Sequence, residues 1–571
     1  MLFSAISEDV KHFQTSNNYN ILLLGETGVG KSTWINGFAN YAKYQSLEDA
    51  ENGGYISIIP SKFTFIDDTY DQTVVLTESD IADFDKNGNI EDCEGGTKIP
   101  VTYRFPTRYG TVRIIDTPGV GDVLDVVQEN INFQLVLNHI ADIEELHCII
   151  IVLKSTQSRR SIHFDYCIKQ LLTYLHKDAC QNIVFYFTHG RGENYRGGEA
   201  ISVLYDFLVN NTIDIVLSRD TIYCVDNESV KHLAAARNKI SMYKGNQKSF
   251  SESWNATISE LGRVMKHVSH LKPHKVKNTQ SVNDVRHMIM LSAMPLAGIT
   301  KAIHSAVREI EDAIKNSKSN SSDNVHKLFD SIFQLVAEPL SSAHTICTAD
   351  KCMKSTSDSS EGYILTYNCM VPSNKVDFKP YRMSPSTSQN VCTKCGCDEK
   401  LHENISYTIK RKKQMDNYPS TPQEVTSEPL QSHLENLKEL EHEQQLILNV
   451  SAQCACFLKN NAIVPYNDKM LNYLALCIDH EERSSVNDTH VKKLEKIRDQ
   501  YQNEFTTLDA ALSQIKDGEQ HVEAIDIKTL ISKLFELKHG CHVLREIVRQ
   551  LVKAESKAST SMEFVVELIS N

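Results

Sequence analysis

The chain of 571 residues has no apolar run long enough to span a bilayer, so no transmembrane segment is expected. Its opening, "MLFSAISEDVKHF", lacks the charged head, apolar middle and small-residue cleavage site of a secretory leader. It has no excess of basic charge: 60 Lys and Arg stand against 73 Asp and Glu, a formal net charge of −13. That balance argues against a dedicated nucleic-acid binder. No fixed-period repeat and no sustained heptad is found, which removes solenoids and long coiled coils from consideration. Without a leader, a cytoplasmic, reducing location is expected. The fifteen cysteines are then thiols or metal ligands sooner than disulfides.

The length exceeds one ordinary core, so several domains are expected. After a short N-terminal segment, 1–18, residues 19–245 alternate between two patterns. "NILLLG", "KIPVTYRF", "TVRIID", "LHCIIIVLK", "NIVFYFT" and "TIYCVD" are short β-branched apolar runs. "KSTWINGFANYAKY", "VVQENINFQLVLNHIA", "IHFDYCIKQLLTYLHK" and "GEAISVLYDFLVNN" have helical spacing. Such alternation predicts an α/β domain, a mostly parallel sheet with helices on both faces. A helical connector is expected over 246–340, a Cys/His-rich module over 341–408, and a polar, Pro-punctuated linker over 409–431. Amphipathic helices are expected over 432–571.

Charge is unevenly placed. Ser46 to Glu94 holds thirteen Asp or Glu against two Lys. Short basic runs, "KPHKVK" from Lys272 and "KRKK" from Lys410, offer contacts to acidic lipid or nucleic acid, but they are short, lack aromatic interleaving and read first as solvated linkers.

"LLLGETGVGKST" fits G-x-x-x-x-G-K-[S/T] from Gly25 to Ser32, between a strand and a helix. Glycines let the loop turn its N–H groups onto phosphates, and the helix N-terminus adds favourable potential. Lys31 is placed to reach the β- and γ-phosphates and Ser32 to ligate Mg²⁺. "VRIIDTPGVGD" supplies Asp116, at a strand end, for the Mg²⁺ shell. It also supplies Gly119, whose N–H can sense a γ-phosphate. Thr97 is a third candidate ligand of Mg²⁺.

The run Gly25-Glu26-Thr27-Gly28-Val29-Gly30-Lys31-Ser32-Thr33, with Asp116-Thr117-Pro118-Gly119, resembles the septin-like branch of P-loop GTPases. That branch includes septins, immunity-associated GTPases and chloroplast import receptor GTPases. The resemblance covers about residues 19–240. It implies a Ras-like sheet, GTP or GDP as ligand, and dimerisation or higher assembly through the nucleotide domain. One departure lies in the base-reading loop, "NIVFYFTHGRGENY", where Arg191 replaces the usual Asp. In the import receptors that loop reads Thr-His, and a later Val-Glu-Asn helps read guanine. Thr188-His189 matches the first and Val225-Asp226-Asn227 nearly matches the second. His189 can lie against the base, and Asp226 can accept the N1–H and N2–H of guanine. The other reading of Asp226 and Asn227 is a helix cap. A second departure is Val120, where Ras-type enzymes carry a water-positioning Gln. Slow hydrolysis, or hydrolysis completed by a partner subunit, follows. No catalytic residue is assigned.

Two further metal motifs stand out. "DFDKNGNIEDCE", Asp83 to Glu94, fits the calcium-loop template, but its flanks are β-like and glycine-rich. Cys347-x₄-Cys352 and Cys392-x₂-Cys395-x-Cys397, with His402 following, resemble a zinc ribbon or knuckle. Cys369, His344, Cys397 and His402 are alternatives within the ligand set, or members of a second site. Such a zinc would be structural. Cys148, Cys167, Cys180 and Cys224 read as small buried residues of the nucleotide domain. The expected function is a nucleotide-controlled switch or self-assembling scaffold with slow GTP hydrolysis. The alternatives are a scaffold that holds nucleotide without hydrolysing it, and an ATPase.

Overall fold

The computed structural model describes residues 18–66, 72–81, 96–107, 110–121, 126–240, 247–286, 333–347, 352–355, 365–367, 369–372, 378–384, 387–397, 402–413, 427–484 and 562–566, with isolated residues between. The chain divides into two units. The first comprises residues 1–283, 461–477 and 558–571, the second 284–460 and 478–557.

In the first unit β1 (Asn18–Gly25) leads into α1 (Lys31–Lys43) and α2 (Leu47–Gly53). β2 (Ser61–Ile66) and β3 (Gln72–Thr77) pair with each other. There follow β4 (Val101–Thr107), β5 (Gly110–Asp116), α3 (Val126–Ile140), β6 (Cys148–Lys154), α4 (Ile162–Thr173) and β7 (Ile183–Thr188). Then come α5 (Gly198–Asn210), β8 (Ile222–Cys224), α6 (Glu228–Arg237) and α7 (Gln247–His270). The main sheet runs β8-β7-β6-β1-β5-β4, with the strand Met562–Val565 outermost beside β4. β8, β7, β6, β1 and β5 are mutually parallel, and β4 is antiparallel to β5.

The strands are apolar on both sides because both sides are covered. Ile21, Leu23, Ile150 and Val152 share a core with Trp34 and Phe38 of α1, Val230 and Leu233 of α6, and Trp254 of α7. The alternate residues Leu22, Leu24, Ile149 and Ile151 are equally buried. Each such side chain contributes about 1.5–3 kcal/mol when fully buried. This is the expected α/β architecture, and β1 delivers Gly25 at its C-terminal end. α1 also shapes the chain beyond it. Its buried Asn36 accepts from the N–H groups of Ile58 and Ile59 at 2.8 and 2.9 Å, and donates to the Ile59 carbonyl at 2.8 Å. A buried amide is tolerated only when satisfied in this way.

Two stretches from far down the chain complete this unit. Residues 461–477 pack on α4. Tyr473 stacks on Tyr166 with centroids 3.9 Å apart, Asn467 Nδ2 donates to Gln170 Oε1 at 3.0 Å, and Lys169 pairs with Asp468. The strand Met562–Val565 runs parallel to β4. Met562 and Phe564 pack on the core, while Glu563 reaches Arg104 at 3.2 Å and Arg113 at 3.4 Å. This corrects the expectation of helix throughout 432–571. Four residues are too few for periodicity to decide, and a vacant sheet edge chose the strand.

The basic run from Lys272 is no linker. Asn182 donates to the Lys272 carbonyl at 2.9 Å, His274 is buried, and His274–Lys275 pairs with Glu145–Leu146.

In the second unit the strand Phe333–Cys347 pairs antiparallel with His402–Lys413 and, near its end, with Met370–Pro372. Residues 333–340, expected as helical connector, are therefore strand. "KRKK" lies at the end of His402–Lys413, inside the expected linker. The helix Ser427–Asn461 also begins within it. Pairing across some seventy residues is invisible to local pattern. A second helix, Met470–Ser484, begins within the 461–477 stretch of the first unit. Among the described residues no helix is long and apolar enough to cross a membrane. Most of the calcium-loop match at Asp83 to Glu94 lies outside the described residues.

Candidate functional site

The site sits where β1 meets α1. Gly28 (φ 73°) and Gly30 (φ 98°) take left-handed conformations that cost glycine little, and Gly30 caps α1. Lys31 is buried at the head of α1. Its Nζ donates to the carbonyls of Gly25 at 3.1 Å and Glu26 at 3.0 Å. Burial pulls its pKa down, against the attraction of Asp116 and Glu26. Thr33 is half-buried in the same first turn, and Thr27 is exposed at the tip of the loop.

Ser32, Thr97 and Asp116 come from three separate segments and meet. Ser32 Oγ donates to Asp116 Oδ2 at 2.9 Å, Thr97 Oγ1 donates to the same oxygen at 3.0 Å, and the two hydroxyls are 3.1 Å apart. Asp116 is fully buried, and burial raises its pKa. Lys31, the two hydroxyls and the Thr117 N–H oppose that rise. Hard oxygen donors converging beside a buried lysine are the donor set that suits Mg²⁺.

Gly119 and Val120 are strapped to the phosphate loop. Thr27 N–H donates to the Val120 carbonyl at 3.0 Å, and Val120 N–H donates to the Gly25 carbonyl at 3.2 Å. A Cβ on Gly119 would lie 2.4 Å from Thr27 Oγ1 and 2.5 Å from Thr27 N, so only glycine permits this approach. The Val120 side chain is buried. It supplies no group to water.

The two segments that the sequence offered for reading a base also reach the loop. The Thr188 hydroxyl lies 3.0 Å from the Val29 carbonyl and 3.1 Å from that of Leu153. His189 is exposed, left-handed at φ 59°, with Nδ1 3.1 Å from Thr188 Oγ1. Asp226 is buried and occupied: Oδ2 accepts from Arg191 N–H at 3.1 Å, and Oδ1 from Glu228 N–H at 2.7 Å. Its carboxylate thus caps α6 and fixes the loop carrying Arg191. A carboxylate has about four acceptor positions, so one on Oδ2 is left for a ligand. Asn227 turns toward the phosphate loop, its Nδ2 3.1 Å from where a Gly30 Cβ would stand. Its Oδ1 is buried without a hydrogen-bond partner.

One cluster at this site escaped the sequence. His163 Nε2 on α4 lies 3.7 Å from Glu26 Oε2 and 3.6 Å from Cys167 Sγ. A Cβ on Gly121 would meet both His163 and Cys167 within 2.6 Å. Cys167 is thus buried, as expected, and also faces a histidine. The spacing of His163 and Cys167 by four on one helix was readable. Their meeting with Glu26 was not.

In the second unit six cysteines gather. The sulfurs of Cys347, Cys352, Cys395 and Cys397 lie within 4.8 Å of one another, as do those of Cys369, Cys392 and Cys395. Cys392 therefore groups with Cys369, a residue the spacing had offered only as an alternative. The backbone of His402 stands opposite Cys347.

No family profile and no curated protein matches the chain. Solved structures do. The chain is similar to Toc33 from Arabidopsis thaliana in complex with GDP and Mg²⁺, at 14% identity over 48% of this chain and 93% of that one, with a TM-score of 0.30. It is similar to translation elongation factor SelB from Methanococcus maripaludis in complex with a GTP analogue, at 8% identity over 70% and 73%, with a TM-score of 0.23. It is also similar to a member of an oligomerised bacterial dynamin pair, at 13% identity over 57% and 59%, with a TM-score of 0.22. Likeness at this level carries no argument. The sheet order and the phosphate loop of the chain itself define its first unit as an α/β phosphate-loop domain.

Proposed function

We propose that the chain is a guanine-nucleotide-binding protein of the septin-like P-loop type, a Mg²⁺-dependent GTPase that hydrolyses slowly on its own. The observation that carries this reading is a convergence on one loop. Lys31 and Gly28 to Gly30 form the phosphate cradle, Ser32, Thr97 and Asp116 form an oxygen donor set, and Thr188 and Asn227 close on the loop from the base side.

Ser32, Thr97 and Asp116 would hold Mg²⁺, which when bound neutralises charge on the phosphate oxygens. Lys31 supplies a second positive charge from a buried position, where its field is least screened. His189 lies open to cover the base. The free acceptor of Asp226 Oδ2 and the orphaned Asn227 Oδ1 suit the N–H groups that guanine presents and adenine lacks. Val120 offers nothing to water. His163 stands beside Glu26 and Gly121, and this reading gives it a water-positioning role. Hydrolysis is completed by a second copy docking across the nucleotide, so assembly and rate rise together. The cysteine cluster binds zinc as a structural element, and a cytoplasmic location suits thiols kept ready for metal.

Competition against labelled GDP tests the base assignment. GTP is expected to displace it at least about a hundredfold better than ATP. Asp226→Asn keeps the side-chain shape but replaces an acceptor with a donor, and is expected to lose most of that preference. Equal displacement by ATP in the unaltered chain would give the site to adenine nucleotides.

A further inference from the structure

The cysteine cluster holds more sulfur than one metal ion can use. Cys347, Cys352, Cys369, Cys392 and Cys397 are buried together, with Cys395 packed against them. These side chains form the core of their own region, where an apolar domain would place Leu or Ile.

The backbone turns tightly to bring these cysteines together. Gly396 takes φ 66° and its N–H donates to the Cys392 carbonyl at 2.8 Å, while Cys392 N–H donates to the Cys397 carbonyl at 2.9 Å. The Cys397 sulfur in turn lies 3.8 Å from the Cys395 carbonyl, so the turn holds Cys392, Cys395 and Cys397 close together. The Cys347 N–H donates to the Cys369 carbonyl at 3.0 Å, which fastens the two halves of the cluster.

The spacing fits metal rather than disulfide. Zinc at about 2.3 Å from each sulfur sets tetrahedral sulfur–sulfur distances of about 3.8 Å. Cys352 and Cys397 stand 3.5 Å apart, and Cys369 and Cys392 stand 3.6 Å apart. None of the six is joined in a disulfide. A structural zinc takes four ligands. Two groups meet the distance condition, one of four sulfurs and one of three, and Cys395 belongs to both.

We propose that this cluster binds two zinc ions that share the Cys395 thiolate. Cys347, Cys352, Cys395 and Cys397 complete one ion. Cys369, Cys392 and Cys395 supply three positions of the other, whose fourth is a donor that is not one of these thiols. Each cysteine loses its proton on binding. The inference rests on the zinc reading above and adds the number of ions, the division of the ligands and the bridge.

The test uses the full chain, purified reduced and freed of loosely held metal. Elemental analysis is expected to find two zinc ions per chain. Zinc X-ray absorption is expected to show sulfur-dominated shells and a short zinc–zinc path. Cys369→Ser is expected to reduce the content to one ion, and Cys395→Ser to deplete both. One ion in the unaltered chain, undiminished in Cys369→Ser, would overturn the second site while leaving the zinc reading intact. A folded, reduced chain without zinc would overturn both. Two ions without a zinc–zinc path would overturn the bridge. The absorption measurement is made on the unaltered chain, so it stands even where a variant fails to fold.

Discussion

The phosphate loop and the cysteine cluster are both proposed to hold small charged species, yet they stand on opposite foundations. The phosphate loop is carried by a sheet buried on both faces, and its key polar atoms already bond one another. Asp116 has its hydroxyl partners and Lys31 its carbonyls. Among the described residues, the cysteine cluster packs its own sulfurs together, with Val371 beside them. In the first region a ligand arrives at a finished fold. In the second, on the zinc reading proposed above, a metal would supply what an apolar core otherwise would.

The sharpest way to break that contrast is metal removal. Structural zinc contributes about 10–16 kcal/mol in small peptides, comparable with a typical domain's whole stability margin of about 5–15 kcal/mol. A strong chelator under reducing conditions is expected to abolish hydrogen-exchange protection in 333–413 and to leave β1, β6 and β7 protected. Unchanged protection in 333–413 would show that this region has a core of its own.

Acid probes the first unit instead. His274 is buried. Burial and the neighbouring His176 hold its pKa down at about 4, against Asp178. His139, His147, His176 and His267 are shifted in the same direction, each first by burial. The unfolded chain therefore binds these protons more readily than the folded one. Stability is intact above about pH 6.5 and is lost as pH falls toward 4, with His274 alone accounting for about 3 kcal/mol across that interval. Thermal melts between pH 7 and 4.5 measure it. His274→Gln is expected to flatten the profile, and an unaltered slope would remove His274 from the explanation.

The smallest expected effect separates chemistry from fold within the first unit. His163→Ala removes an imidazole that is only partly buried and touches Glu26 and Cys167. Single-turnover hydrolysis is expected to fall about tenfold, roughly 1.4 kcal/mol, with nucleotide affinity and melting temperature nearly unchanged. A loss of affinity equal to the loss of rate would reassign His163 to shaping the loop.

The phosphate half of the site was legible because its chemistry is local. Gly25 to Ser32 must be consecutive for a loop to wrap phosphate, and Asp116 must end a strand. The base half was half legible. The sequence offered Thr188 and Asp226 as candidates, but the engagement of Asp226 with Arg191 and Glu228 depends on how two loops meet. The zinc reading came from short spacings such as Cys392-x₂-Cys395. Spacing cannot say which sulfurs share an ion, and so Cys369 was left as an alternative.

The sequence by itself determined the alternation of strand and helix over 19–245, the phosphate loop at the end of the first strand, and the presence of a thiol-rich region. Those properties are written in periodicity, turn chemistry and near neighbours. Only the tertiary structure decided that Met562–Val565 closes the sheet beside Val101–Thr107 and that 461–477 lies on the helix bearing His163. It alone brought Glu26 to His163 and Cys395 between two groups of sulfurs. Each of these contacts joins residues far apart in the chain or divides near neighbours between partners. Their pairing follows from which surface each element leaves uncovered, a quantity no local window of sequence contains.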